Sequence, residues 1–206
     1  MQPAATFVRG EFVTVVSGLP RSGTSMMMQM LAAGGMPVLA DAGRPADEDN
    51  PRGYYELEAV KHTRRDPSWL LEAPGKAVKI VHVLLYDLPA DRAYRILLMR
   101  RDLREVVASQ RVMLGRRARP GAALTDEQLR TTFATQLQQL DGWLAQQAHL
   151  RVMPVPYAEC VAQPAEWAAR VDAFLGGGLD TVAMAAAVDV ALHRQSARGG
   201  EGEIGR

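Results

Sequence analysis

The sequence predicts an α/β domain in three layers, α/β/α, with helices on both faces of a central parallel sheet. Three observations carry that expectation. Four short runs of almost continuous apolar character, residues 12–17, 77–83, 94–99 and 151–155, suit strands buried on both faces. Helical patterns separate the runs, and strands alternating with helices favour a parallel sheet. The first run leads into SGLPRSGTS (17–25), a turn with two glycines between a strand and a helix.

Each element has its own signal. Residues 12–17 (FVTVVS) read as the first strand and 23–34 as the helix after it, with Met26, Met27, Met28 and Met30 filling the space between helix and sheet. Residues 41–54 (DAGRPADEDNPRGY) are polar and rich in Gly and Pro, which predicts a loop. The second strand is expected over 77–83 (AVKIVHV) and the third over 94–99 (YRILLM). A helix over 102–117 opens on Asp102 with Glu105 three residues later, the pairing of a capping box. Residues 115–121 (GRRARPG) form a basic loop in which Arg116, Arg117 and Arg119 are either solvated or a lid. Thr125 and Gln128 open a longer helix over 125–149, whose stripe is Leu129, Phe133, Leu137, Leu140 and Leu144. The fourth strand, 151–155, precedes helices near 164–175 and 180–193, split by Gly176, Gly177 and Gly178. Residues 1–195 are expected to form one domain, and 196–206 a disordered tail.

Composition bounds the function. A chain of 206 residues, 48% hydrophobic and 23% charged, is ordinary for one globular domain with a core of its own. The net charge of +1 offers no global field for nucleic acid or an anionic membrane, so any anion site is local. The single cysteine, Cys160, excludes an internal disulfide and a cysteine-rich zinc site. No run approaches the roughly 18 apolar residues of a membrane span. The start, MQPAATFVRGEF, lacks the pattern of a signal peptide, and a cytoplasmic location is expected. No pattern in the sequence bears on oligomeric state.

The turn at 17–25 nearly matches the phosphate-binding P-loop, G-x-x-x-x-G-K-[ST]. Gly18, Gly23 and Ser25 fit, but Thr24 stands where the lysine belongs and the cation, Arg21, comes three residues earlier. A glycine turn at a helix N-terminus points backbone N–H groups at an anion, and Ser22, Thr24 and Ser25 add hydroxyls. Thr24 has neither the charge nor the reach of the lysine that serves a nucleoside triphosphate. The strand at 94–99 runs into Arg100 and Arg101 rather than an aspartate that would hold Mg²⁺. A P-loop-type domain for a less charged group, with no metal ligand set, is expected.

GLPRSGTS followed by an amphipathic helix resembles the 5′-phosphosulfate loop of sulfotransferases that use 3′-phosphoadenosine 5′-phosphosulfate (PAPS), written [KR]-S-G-[TS]-[TS]. Arg21 stands where that family has its cation. A second segment, Arg101-Asp102-Leu103-Arg104-Glu105-Val106-Val107-Ala108-Ser109, resembles the family's 3′-phosphate motif, R-[ND]-x-x-[DE]-x-x-x-S, with its eight-residue spacing between Arg101 and Ser109. A third, residues 153–176, resembles a strand-helix segment of small bacterial members through Tyr157, Pro164, Phe174, Leu175 and Gly176. The resemblance implies PAPS as donor, adenosine 3′,5′-bisphosphate as product and no metal. It implies cofactor contacts from Arg21, Ser22, Gly23, Thr24, Ser25, Arg101 and Ser109. The family's aromatic near Met26 and its C-terminal Arg-Lys-Gly have no clear counterpart, although Arg194 is a possible substitute for the latter.

Sulfuryl transfer needs a base for the acceptor hydroxyl, cations for the leaving oxygen, and alignment. Lys79 is the candidate second cation, because a lysine is out of place in a buried parallel strand and VKIVH resembles the family's lysine-bearing strand. Two sources of base are open. His82 follows Lys79 by three residues, and positions three apart in one strand face opposite ways. Glu56 and Glu58 lie within NPRGYYELE (50–58), which resembles an N-P-x-G-[YFW]-x-E segment of small bacterial members, and Glu56 is preferred. The expected activity is sulfuryl transfer to a hydroxyl or amine of a small-molecule acceptor, whose identity the sequence does not carry. A kinase-like phosphotransferase and a non-catalytic nucleotide-binding domain are the alternatives.

Overall fold

The computed structural model describes residues 11–41, 55–116 and 124–188. Four parallel strands, β1 (Phe12–Gly18), β2 (Ala77–Val81), β3 (Ala93–Arg100) and β4 (Leu150–Pro156), lie in the order β2-β1-β3-β4. β1 is central and wholly buried, which its apolar run anticipates. Its last residue, Gly18, pairs with Val81 on one side and Met99 on the other. Three strands therefore end together at one edge of the sheet, and ligands of open parallel sheets bind at the carboxyl ends of their strands.

Helix α1 (Thr24–Ala33), α4 (Tyr157–Ala162), α5 (Pro164–Leu175) and α6 (Thr181–Ala186) cover one face. Its core includes Val16, Met27, Met28, Met30, Leu97, Tyr157 and Trp167. The methionines at 27, 28 and 30 are fully buried there, as expected, and Met26 is half-buried. The other face is closed by α3 (Asp126–Leu144) and by 3₁₀ turns at Glu58–His62, Ser68–Leu71 and His82–Asp87. α2 (Leu103–Arg116) packs Val106 and Val107 with Phe133 of α3 against Leu19 of the turn after β1.

Three expected boundaries move. β2 ends at Val81 rather than at residue 83, because its strand partner β1 ends opposite it at Gly18 and the chain turns 3₁₀ from His82. α3 stops at Leu144 rather than 149. The last N–H groups bond to carbonyls three back, Gln146 to Trp143 and Gln147 to Leu144, and Leu150 then pairs with Tyr94. α6 spans six residues after its Asp180 cap and stops at Ala186, with Ala187 closing its last turn. Short helix α4 and the 3₁₀ turns at Ser68–Leu71 and His82–Asp87 have no counterpart among the expected elements, whereas the helix expected near 56–65 is the 3₁₀ turn Glu58–His62. The Thr125–Gln128 capping box forms in full, with Gln128 N–H on Thr125 Oγ1 and Thr125 N–H on Gln128 Oε1. At the start of α2 the contacts are different: Asp102 Oδ1 accepts from Arg104 N–H at 2.7 Å, and Glu105 Oε2 accepts from Arg101 Nε at 2.8 Å. Residues 42–54, 117–123 and 189–206, with Tyr54, Arg117, Arg119, Arg194 and the expected tail, lie outside the described residues.

Candidate anion site at the carboxyl edge of the sheet

The turn between β1 and α1 is shaped by close packing. A Cβ on Gly18 would meet Ser22 Oγ at 2.4 Å, and one on Gly23 would meet the Tyr157 ring at 2.4 Å. Gly23 also has φ of 100°, a left-handed conformation that suits glycine. Ser22 is buried and donates its hydroxyl to Leu19 O at 2.7 Å, which closes the turn. α1 then begins at Thr24 with Gly23 as N-cap, no side chain capping it and no acidic residue in its first turn. Such a terminus presents N–H groups and partial positive charge to an anion.

Arg21 sits inside the turn with φ of 70°, a left-handed conformation that a non-glycine residue keeps only where its surroundings hold it there. Its Nε donates to Ser109 Oγ at 2.9 Å, and its carbonyl accepts from Arg101 Nη1 at 3.1 Å. The two sequence motifs, far apart in the chain, are thus directly bonded. Arg101 is in turn fixed by Glu105 at 2.8 Å, with both side chains 9% exposed, and its guanidinium lies 4.5 Å from the centre of the Tyr157 ring. A buried pair of this kind is weak evidence for stability, but it holds its members in one geometry.

Strand alternation sorts the remaining candidates. Lys79 pairs in register with Val16 and shares the face of Ala77, the α1 side of the sheet. Its Nζ lies 3.9 Å from Glu56 Oε1; the lysine is 14% exposed and the glutamate 45%. His82 goes the other way. It is 4% exposed, and its Nε2 meets Gln136 Oε1 of α3 at 3.0 Å. Burial holds the His82 imidazole below its ordinary range; the Gln136 contact and a backbone contact with Gly18 oppose the effect, and Arg100 adds to it. The strand does end between Lys79 and His82, yet their observed partners, Glu56 and Gln136, lie on different sides. Arg100 likewise turns to α3 and pairs with Asp141. Glu58 is a surface residue paired with Lys61, and its N–H bonds to Asp41.

Two site features were not anticipated as such. Tyr157 closes over both Gly23 and Arg101, and burial raises its phenol above its ordinary range. Glu105, a member of the second motif, anchors Arg101. Cys160 is buried, and burial pushes its thiol up to about 12, so it is no nucleophile. Among the described residues no cluster of three or more His, Cys, Asp or Glu is placed to hold a metal ion, and no helix is long and apolar enough to cross a membrane.

The chain aligns with several solved structures. The sulfotransferase domain from the curacin biosynthetic pathway superposes with a TM-score of 0.55 at 15% identity, over 90% of each chain. That level of identity speaks to the fold alone. The sulfotransferase of Alicyclobacillus acidocaldarius aligns at 17% identity over 91% of this chain and 98% of its own, with a TM-score of 0.48. Retinol dehydratase, solved with retinol and PAP, aligns at 16% identity over 87% of this chain and 64% of its own, also at 0.48. No curated protein matches the chain. The sulfotransferase domain model matches residues 13–193, from the first strand to beyond α6, and the chain belongs to that family.

Proposed function

We propose that the chain is a PAPS-dependent sulfotransferase acting on a hydroxyl or amine of a small-molecule acceptor, with the turn at 18–25 and the start of α2 as the two ends of its nucleotide site. One observation carries the reading. Arg21 of the first motif is bonded to both Arg101 and Ser109 of the second, so two groups suited to oxyanions stand side by side. The uncapped N-terminus of α1 adds backbone donors at the same place. The residues present therefore fit a ligand with phosphate or sulfate at each end.

PAPS, when bound, supplies an activated sulfuryl group on a phosphate leaving group. The chain's own residues do the rest. Arg21, Ser22, Gly23, Thr24 and Ser25 hold the 5′ end through guanidinium, hydroxyl and N–H donors, and Arg101 and Ser109 hold the 3′ end. Lys79 stabilises negative charge building on the leaving oxygen. The Glu56 carboxylate takes the acceptor's proton, and Lys79, at 3.9 Å, holds that carboxylate near the edge of the sheet. His82 is not assigned the proton transfer, because it is buried against α3 and engaged by Gln136. One unpaired cysteine suits a reducing, cytosolic compartment.

Calorimetric titration with adenosine 3′,5′-bisphosphate, beside ATP with Mg²⁺, tests the reading. Tight binding of the bisphosphate, unmatched by Mg-ATP, is expected. Preference for Mg-ATP makes the chain a phosphotransferase instead, and binding of neither removes the nucleotide site.

A further inference from the structure

We propose that Ser109 and Arg101 are positioning residues for Arg21, so that the cation at the 5′ end of the nucleotide is set by the residues that meet its 3′ end. The inference rests on the reading of the site given above and goes beyond it. A residue that binds only the 3′-phosphate has no influence on a ligand lacking that phosphate; a residue that sets Arg21 does.

The geometry singles out Arg21. It is the one non-glycine residue of the turn with a left-handed backbone, at φ 70°. Left-handed conformations of long side chains relax unless held. Two groups that hold it come from the segment after β3: Arg101 Nη1, before α2, donates to the Arg21 carbonyl at 3.1 Å, and Ser109 Oγ, within α2, accepts from Arg21 Nε at 2.9 Å. One contact fixes the main chain and the other the guanidinium. The holding groups are themselves fixed. Ser109 is 8% exposed on a regular helix, and Arg101 is clamped between Glu105 and the Tyr157 ring. The strained residue is therefore tied to a rigid one, and what draws on Ser109 or Arg101 is felt at Arg21. Ser109 is the cleaner probe, since its loss changes no charge.

The test uses adenosine 5′-phosphosulfate, which carries the 5′ group without the 3′-phosphate, titrated into the full chain alone and in competition with adenosine 3′,5′-bisphosphate. Ser109→Ala is expected to weaken the phosphosulfate about five- to tenfold, the loss of one hydrogen bond to a charged group. In an Arg21→Lys background, which lacks the Nε, Ser109→Ala is expected to change little, because contacting residues that act through one another are not additive. Thermal melts of all four proteins confirm that each is folded. Equal phosphosulfate affinity in wild type and Ser109→Ala overturns the inference, as does an equal loss in both backgrounds. Failure of the phosphosulfate to displace the bisphosphate from the wild-type chain overturns it too, since a preset loop binds its own end of the nucleotide. In each of these cases the bisphosphate still binds and the reading of the site stands; a wild-type chain that binds neither nucleotide removes both.

Discussion

Arg100 and Arg101 are neighbours in sequence and meet opposite fates. Arg100 leaves the sheet toward α3 and is neutralised by Asp141, whereas Arg101 leaves toward α4 and braces the turn that carries Arg21. The same division separates Lys79, which faces α1 and approaches Glu56, from His82, which is buried against Gln136. Alternation along the strands sets the sides of Lys79 and Arg100, and the turns that leave β2 and β3 carry His82 and Arg101. Arg21 and Arg101 are bonded at the sheet edge, and Lys79 faces the same side of the sheet. The other face pairs its polar groups with α3 and serves packing.

The comparison is broken most severely by removing a cation from the first face. Lys79→Met is expected to slow sulfuryl transfer about a hundred- to a thousandfold, the scale of losing one group that stabilises charge in the transition state. Bisphosphate binding changes by only a few-fold in this variant, so the measurement is turnover against affinity. Equal losses in both would make Lys79 a binding residue.

Next in size is the fit of Tyr157 over the turn. Gly23→Ala places a methyl 2.4 Å from the Tyr157 ring at a left-handed position. A loss of about 1–3 kcal/mol in chemical denaturation is expected, and an unchanged midpoint would show that the ring moves freely. The smallest effect belongs to the second face. Burial lowers the folded His82 below its ordinary 6.5, so the unfolded chain takes up the proton first as pH falls. The stability this histidine contributes is complete above 6.5 and is lost as pH drops from there through the lowered folded value. His82→Gln is expected to flatten the stability profile in that window, and profiles that superimpose would contradict the assignment.

Much of this was legible in the residues themselves. The strands announce themselves as apolar runs, most clearly β1, which is buried throughout; edge strand β4 leaves Arg151 and Pro154 exposed, and the two motifs sit where strands become helices. Lys79 betrays itself as a charge in a buried strand, and the eight-residue spacing to Ser109 picks Arg101 over Arg100. The rest depends on contacts between distant segments. The end of β2 is set by where β1 ends, which no local pattern near His82 records. Tyr157 reaches Arg101 and Gly23 because the strand that delivers it, β4, lies beside β3. The tie between Arg101 and the Arg21 carbonyl needs β1 and β3 to be adjacent, and a backbone acceptor leaves no mark in a motif. Gln136 as the partner of His82 follows from how α3 crosses the sheet, and its stripe of leucines gives the face but not the depth.

The division between the two faces is tested most directly by its two neighbouring arginines. Adenosine 3′,5′-bisphosphate is titrated calorimetrically into wild type, Arg100→Gln and Arg101→Gln, each substitution filling similar space and removing one charge. The account predicts a loss of about ten- to a hundredfold for Arg101→Gln, the value of charge-assisted hydrogen bonds, and a change of no more than about threefold for Arg100→Gln, whose partner is a half-exposed carboxylate. Equal losses, or the larger loss at Arg100, would contradict it.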